Sequence, residues 1–248
     1  MAQSHSFNNG STYPSSGEKQ QHMRRAIWGD IAERFCVPQD CLASYLALES
    51  AEVLAGVKPA NLLSIPNRTY PCGSNPYLLW KNWGRQVLDA SPLQSRELTD
   101  RGDSTLVLLF LPEALEQILM TPAARSILRR AGYPEEICLE MVLNKLTERL
   151  TSSSFPHEIG VFLGYPLKDV AGFMGLARIP FTCQGPWKIY GDPRASLQLA
   201  ETFRSCRTQM ATELANCASP LECLGYCAAG IPFFCSSTDY DYRLHNAR

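Results

Sequence analysis

The segment at residues 104–111 has the strongest strand pattern in the chain. It reads Ser-Thr-Leu-Val-Leu-Leu-Phe-Leu, and such a nearly continuous apolar run is typical of a central strand covered on both faces. Shorter apolar segments at residues 60–65 and 186–190 also have the length and the boundaries of strands. The apolar run at residues 159–164, which glycine and proline bound, is predicted to be a fourth buried strand.

Most other apolar residues recur at helical spacing. The cleanest stripe lies between residues 139 and 150, where leucine and valine side chains fall on one face. Prolines stand where several of these patterns begin, as they do at helix N-termini. The polar residues 91–103 carry no such pattern. The stripes predict helices at residues 23–35 and, after an interruption at Pro38, up to residue 56. Further helices are predicted at residues 77–88, 112–132 with a restart at Pro122, 134–150, 166–176 and 193–214.

The alternation of predicted strands and helices indicates the fold class. It is typical of an α/β or α+β protein, here with a small, mostly buried central sheet of about four strands flanked by helices. A chain of 248 residues can form one large domain. We expect residues 1–22 to be a disordered N-terminal tail, residues 23–215 a single domain, and residues 216–248 a cysteine-rich C-terminal tail.

Composition and charge narrow the classes of partner and compartment. The formal net charge is −1, so no overall positive field attracts nucleic acid or an anionic membrane. No segment approaches the roughly 20 apolar residues of a membrane span, and the polar N-terminus lacks the apolar core of a secretory signal. Ten cysteines in such a chain are expected to be reduced thiols, and the expected location is cytoplasmic.

His157 is the only histidine outside the two ends of the chain, and it is the first candidate for chemistry. It stands before the predicted strand 159–164, where an imidazole can act as a general base, a metal ligand or a haem ligand. That strand, a turn at Gly164 and the next helix form an arrangement at which α/β proteins often bind ligands. Cys183 would pair with His157, as nucleophile and base or as two metal ligands, if their strands were neighbours. A structural histidine and an unpaired loop thiol are the alternatives.

Four cysteines of the C-terminal tail are candidate metal ligands. They fall within 19 residues, so they could together hold zinc or an iron–sulfur cluster. Their separations match no paired Cys-x₂-Cys pattern, and the segment is apolar enough to be buried against the domain instead. The four are Cys217, Cys223, Cys227 and Cys235.

Three segments stand out as motifs. They are residues 54–63 (Leu-Ala-Gly-Val-Lys-Pro-Ala-Asn-Leu-Leu), 155–166 (Phe-Pro-His-Glu-Ile-Gly-Val-Phe-Leu-Gly-Tyr-Pro) and 185–192 (Gly-Pro-Trp-Lys-Ile-Tyr-Gly-Asp). In that order they resemble the motifs of domain-of-unknown-function family 3793, a family of uncharacterised prokaryotic proteins. The resemblance covers about residues 40–215, and Pro-His-Glu-Ile-Gly is its most specific part. Family members tend to carry Cys-x-Pro-Thr before the first motif, where this chain has Ser-Ala-Glu-Val at residues 50–53. The resemblance implies an outline of the chain and no reaction.

The three segments also supply the candidate cofactor-binding residues. Lys58 and Lys188 stand beside predicted strands and would bind a carboxylate or phosphate as point charges, unless both are simply solvated. Alternation along the last predicted strand turns Trp187 and Ile189 inward and their neighbours, including Lys188, outward. The full candidate set is Lys58, Asn61, Tyr165, Trp187, Lys188 and Tyr190.

These features leave three classes of function open. The first is an accessory protein that binds a small cofactor or a metal, such as haem or an iron–sulfur cluster, around the Pro-His-Glu-Ile-Gly motif. The second is an enzyme that uses His157 as base or ligand with the Cys183 thiol as its partner. The third is a protein-interaction module. The sequence has no phosphate loop, dinucleotide fingerprint, nucleophile elbow or His-Glu-x-x-His motif, which favours the first class, a binding or accessory protein.

Overall fold

The computed structural model describes residues 27–89, 91–135, 138–151 and 155–225. A three-stranded antiparallel sheet is formed by β1 (Ala60–Pro66), β2 (Gln94–Asp100) and β3 (Ser104–Phe110), with β3 between the other two. The predictions of a strand at 60–65 and of a central strand at 104–111 are therefore confirmed. No strand was predicted for β2 because its outward positions are polar, and its place is fixed by hydrogen bonds to β3.

Helices surround this sheet, and several begin at the prolines that the sequence places there. The side chains of Asn75 and Thr121 accept hydrogen bonds from the backbone N–H groups of Leu78 and Ala124, as N-caps do. The described helices are α1 (Gly29–Ala32), α2 (Pro38–Glu49), α3 (Ala51–Leu54), α4 (Pro76–Leu88), α5 (Pro112–Leu119), α6 (Pro122–Arg130), α7 (Leu139–Leu150), α8 (Ile159–Phe162), α9 (Leu167–Phe173), α10 (Arg194–Asn216) and α11 (Pro220–Gly225).

The sheet lies between two hydrophobic cores. Side chains alternate along β3, so Val107 and Leu109 enter the first core while Leu108 and Phe110 enter the second. Helices α1–α4, α10 and α11 supply the first core, and α5–α9 supply the second. Both faces of β3 are buried, which is why this strand is apolar at almost every position.

The prediction of a strand at residues 159–164 is wrong. Ile159–Phe162 forms the short helix α8, and all four of its residues are buried. Because α8 is enclosed on every side, it has no polar face, and a short apolar run without a polar face does not distinguish a helix from a strand. The turn at Gly164 follows, with a positive φ of 67°. The prediction of a single sheet of about four strands is therefore also wrong.

A separate two-stranded sheet accounts for the last predicted strand. β4 (Phe181–Gln184) pairs antiparallel with β5 (Lys188–Tyr190). The predicted alternation is confirmed, because Trp187 and Ile189 are buried whereas Lys188 is exposed. Strand β4 was not predicted, since its exposed polar and aromatic residues show no inward face.

Two long-range contacts connect the C-terminal helices to the first core. The buried Arg207 of α10 donates hydrogen bonds to the Leu48 carbonyl at 3.0 Å and to the Glu49 carboxylate at 2.5 and 3.1 Å. Helix α11 buries Cys223 and Leu224 against the same core. The helix predicted from residue 134 instead begins at Leu139, and the Glu135 carbonyl accepts a hydrogen bond from Arg125. No described helix is both long and apolar enough to cross a bilayer.

Candidate functional site

The three sequence motifs meet at the side chain of Tyr165. Trp187, from the third motif, stacks on the Tyr165 ring with centroids 4.5 Å apart and planes 20° apart. Lys58, from the first motif, places its Nζ 5.6 Å from the centre of the same ring. Residues that are 107 and 22 positions from Tyr165 in sequence therefore converge on its side chain.

A buried lysine lies at the centre of this convergence. Lys58 is 6% exposed. Its Nζ donates a hydrogen bond to Asn61 Oδ1 at 2.7 Å and lies 5.3 Å from the centre of the Phe203 ring. The Asn61 amide in turn donates to the Glu49 carbonyl. We call Lys58, Asn61, Tyr165, Trp187 and Phe203 the Lys58 cluster; it includes four of the six predicted cofactor-binding residues.

Hydrogen bonding and ring contacts give the buried ammonium group polar and π partners, which a buried charge requires. Burial raises the pKa of Tyr165, and the nearby Glu52 carboxylate raises it further. The phenol is therefore neutral at ordinary pH. Because the cluster is enclosed, its clearest role is to hold the three motifs together.

A glycine allows the first two motifs to approach closely. Gly164 has a φ of 67°, and a Cβ atom there would lie 2.5 Å from Pro59 Cδ. An L side chain would be strained by the backbone conformation and would also overlap the proline ring. Glycine at this position thus allows the turn after α8 to pack against the start of β1.

Asp169 connects α9, the hairpin and α10. Its buried carboxylate accepts hydrogen bonds from Trp187 Nε1 at 2.9 Å, the Tyr190 backbone N–H at 2.9 Å and Ser196 Oγ at 2.6 Å. Lys168 also donates to it at 2.7 Å. Burial raises the pKa of Asp169, but the hydrogen bonds from these four groups outweigh burial and leave the pKa below its ordinary value. Asp169 was not selected from the sequence. One signal for a buried carboxylate was present, because Asp169 stands next to Val170, which lies on the apolar face of the predicted helix at residues 166–176.

His157 lies outside this buried network, on the surface of the protein. Its imidazole is exposed and meets the Phe173 ring edge-on, with centroids 4.8 Å apart and planes 78° apart. Lys188 places its Nζ 5.2 Å from the centre of the same ring. Phe173 is itself 40% exposed. We call His157, Phe173 and Lys188 the Phe173 surface; Phe173 was not among the predicted site residues, because it ends an ordinary amphipathic helix.

Two further aromatic side chains border the Phe173 surface. Tyr190 lies on the same face of β5 as Lys188, since the two are separated by one residue. Its ring packs against Gly172, where a Cβ atom would lie 2.6 Å from the ring. Phe181, its partner across the hairpin, contacts it edge-on at 5.8 Å and is 55% exposed.

Cys183 does not meet His157. Cys183 pairs with Ile189 across the hairpin, and directly opposite residues share a face. Its side chain packs against the buried group formed by Trp187, Ile189 and Phe203, on the α10 side. His157 lies on the other side, with Lys188. The structure therefore does not bring together the two residues that were predicted as a possible nucleophile and base.

Glu158, next to His157, belongs to a separate buried network. It is 1% exposed and accepts hydrogen bonds from Arg149 and from Tyr133, whose hydroxyl is 3.3 Å from Oε1. The Glu158 carboxylate raises the pKa of Arg149 through their hydrogen bond. Burial, with a further contribution from Glu158, raises the pKa of Tyr133 above its ordinary value. Glu158 thus fixes α8 to α7 and leaves its neighbour His157 facing solvent.

The predicted metal ligands of the C-terminal segment are only partly described. Cys217 and Cys223 are neighbours, and burial, followed by the Cys217 thiol, raises the pKa of Cys223 to about 12. Cys227 and Cys235 lie outside the described residues. Within residues 27–89, 91–135, 138–151 and 155–225, no three His, Cys, Asp or Glu side chains are grouped to hold a metal ion.

Comparison with known proteins gives a match to a protein-family model. The family model described as "Protein of unknown function (DUF3793)" matches residues 46–224. These residues include all three motifs, the Lys58 cluster and the Phe173 surface. Searches of the curated proteins and of the solved structures give no significant match.

Proposed function

The chain belongs to DUF3793, a family of proteins of unknown function, and we propose that it is an accessory protein that binds a small planar anion on the Phe173 surface. The observation that carries the proposal is that His157 and Lys188 both contact one exposed phenylalanine ring. His157 and Lys188, which are 31 positions apart in sequence, thus flank a single accessible apolar surface.

The chemistry of these three side chains defines the ligand class. An exposed aromatic ring stacks against another planar group. A lysine ammonium attracts carboxylate or phosphate as a point charge, and an imidazole can donate a hydrogen bond or ligate a metal. A planar molecule with acidic substituents matches all three. Haem is the member of this class that would use every group, with carboxylates for Lys188 and an iron for His157.

The buried contacts support this proposal by fixing the surface. Asp169 holds the backbone of Tyr190 and the indole of Trp187, on either side of Lys188. Glu158, the residue next to His157, is held in place by its ion pair with Arg149. A binding surface whose neighbours are rigidly hydrogen-bonded loses little conformational entropy when a ligand binds.

The experiment is a titration of the full chain with haemin and with metal-free protoporphyrin IX, followed by absorption and fluorescence. We expect saturable one-to-one binding of both. Phe173→Ala and Lys188→Gln should weaken both ligands about tenfold or more, because each removes a group that serves either ligand. His157→Ala should weaken haemin selectively and alter its Soret band, because only haemin has an iron.

Two control variants separate this surface from unspecific porphyrin adsorption. Lys145→Gln removes a half-buried lysine of α7 that pairs with Glu148, and Phe155→Ala removes another exposed phenylalanine. Both should bind as the wild type does. Failure of both porphyrins to bind, or equal affinities for the wild type and Phe173→Ala, would overturn the proposal.

We do not extend the proposal to catalysis by a Cys183–His157 pair, since the two side chains lie on opposite sides of the hairpin. Protein interaction through the cysteine-rich segment 216–248 concerns residues of which only 216–225 are described. The exposed rings of Phe173 and Phe181 are compatible with a protein partner as well. Planar-anion binding has the better support because the Lys188 ammonium group and the His157 imidazole both contact the exposed ring directly.

A further inference from the structure

A cavity of about 300 Å³ opens at the end of the sheet face that carries the second core. Further along this face, Leu108 and Phe110 are covered by helices. Near Ser104 the face becomes accessible, since Ser104 and Leu106 are half-buried and Ser64 is exposed. The residues that line the cavity are Ser64, Thr99, Arg101, Ser104, Leu106, Leu150 and Phe155.

Strand register explains why hydroxyl groups line this cavity. Leu106 of β3 is paired with Ser64 of β1 on one side and with Thr99 of β2 on the other. Residues directly opposite one another share a face of the sheet, so Ser64, Leu106 and Thr99 form one row across three strands. Ser104, two residues before Leu106, lies on the same face. The accessible end of this face thus carries mainly polar side chains, whereas its covered part carries apolar ones such as Leu108 and Phe110.

Several hydrogen-bond donors of the cavity are not used within the described chain. The Arg101 guanidinium makes no hydrogen bond or ion pair with any described residue, and the Ser64 and Thr99 hydroxyls donate to none. Ser104 donates to Asp103 Oδ1 at 2.9 Å. An acceptor with negative charge would therefore bind on the side of Arg101, away from the Asp103 carboxylate.

The remaining wall of the cavity is apolar. Leu106 is half-buried, Leu150 is buried, and Phe155 is 52% exposed. A ligand whose polar group reaches Arg101 and the hydroxyls would place its remaining atoms against these three side chains. The cavity thus has a polar end and an apolar side.

We infer that this cavity binds a small amphipathic monoanion, a carboxylate with a short apolar chain or ring. Arg101 pairs with the carboxylate, and the hydroxyls of Ser64 and Thr99 donate hydrogen bonds to it. Leu106, Leu150 and Phe155 cover the apolar part. The volume is at the lower end of the roughly 300–1,000 Å³ of small-molecule pockets, which suits a ligand of about ten non-hydrogen atoms.

The test uses octanoate as the probe, with octan-1-ol and inorganic phosphate as controls, in ligand-observed NMR titrations of the full chain. Octan-1-ol keeps the apolar chain without the charge, and phosphate keeps the charge without the chain. We expect octanoate to bind with a dissociation constant on the order of 0.1–1 mM, as a ligand of this size permits. Both controls should bind at least about tenfold more weakly.

Three substitutions locate the binding. Arg101→Gln should weaken octanoate about tenfold or more, because it removes a charge-assisted contact. Thr99→Val removes a hydroxyl at nearly constant shape and should weaken it about threefold. Phe155→Ala should weaken it about fivefold through lost apolar contact. As a matched control, Arg129→Gln changes an exposed arginine on α6 and should leave affinity unchanged.

Equal binding of octanoate and octan-1-ol, or undiminished affinity in Arg101→Gln, would overturn the inference. Absence of octanoate binding at concentrations up to 10 times the upper limit expected, about 10 mM, would overturn it too. The inference does not depend on the proposed function. Phe173→Ala, which should weaken porphyrin binding about tenfold or more, should leave octanoate binding intact.

Discussion

Single buried charges in this protein hold together segments that are far apart in the sequence. Asp169 of α9 accepts hydrogen bonds from both β5 and α10, while Arg207 of α10 donates to residues of α2. A buried ionised group is tolerated only when neighbouring groups replace the hydrogen bonds of water. Such residues therefore fix the relative positions of elements more strictly than apolar contacts do.

We predict that Asp169→Asn lowers the free energy of unfolding by about 2–3 kcal/mol, since it removes the charge from several buried hydrogen bonds. For a chain of this size, that loss corresponds to a melting temperature lower by roughly 5–10 °C. Thermal unfolding followed by circular dichroism measures the change. The matched control is Asp192→Asn, which alters an exposed carboxylate paired with Arg194 and should melt close to the wild type.

The same substitution should change how stability depends on pH. The folded-state pKa of Asp169 is lowered, so its contribution to stability is fully present above the unfolded-state pKa of about 3.9. That contribution is lost as the pH falls through the lower folded-state value. The difference between wild type and Asp169→Asn should thus be constant near neutral pH and shrink below about pH 4. A difference that grows in acid would contradict this assignment.

Among the elements, β3 has the greatest structural importance because its two faces contribute to different cores. Its neighbours β1 and β2 each have an outer edge and more exposed residues. The hairpin formed by β4 and β5 differs in kind. It is anchored through Trp187 and Ile189 on one face and presents the Lys188 ammonium group, next to the Phe173 ring, on the other.

We predict that Leu108→Asp prevents folding. Leu108 is fully buried in the middle of β3, and an unpaired carboxylate there would cost several kcal/mol, a large part of the roughly 5–15 kcal/mol that stabilises a typical domain. Expression and circular dichroism report the outcome. Leu78→Asp, at a 51% exposed position of α4, is the control and should fold. A soluble Leu108→Asp protein with an unchanged melting temperature would show that β3 is not central.

On the scale of the whole molecule, the two cores share one sheet and should unfold together. No described segment separates them into independent bodies, since β3 supplies side chains to both. Arg207 and α11 add contacts between the C-terminal helices and α2. Continuous packing across one central strand is a basis for a cooperative transition.

We predict that Leu42→Ala, in the first core, and Leu146→Ala, in the second, each destabilise the whole protein. Both leucines are fully buried, and each truncation should cost about 2–5 kcal/mol. Hydrogen exchange measured by mass spectrometry should show reduced protection in α2 and in α7 for either variant. Glu222→Ala, at an exposed position of α11, should leave protection unchanged. Loss of protection confined to the substituted core would instead indicate two separately unfolding units.

Local pattern was sufficient to predict much of the fold. The sequence determined the central strand, the strand at β1, most of the amphipathic helices and the inward direction of Trp187 and Ile189. Each of these follows from a period in the chain itself, because a half-buried element exposes one face to water and buries the other. The three motifs also indicated the family that the match over residues 46–224 shows.

The tertiary structure determined the features that no periodicity of apolar residues in the sequence indicates. Residues 159–162 are helical although they are apolar throughout, because enclosure by α5–α9 removes the polar face that would reveal the period. β2 is a strand because β3 offers it hydrogen-bond partners. His157 and Lys188 share the Phe173 ring, and Cys183 lies on the opposite side, only because the hairpin packs between α9 and α10. Contacts between distant residues depend on how elements pack, and packing is a property of the whole chain.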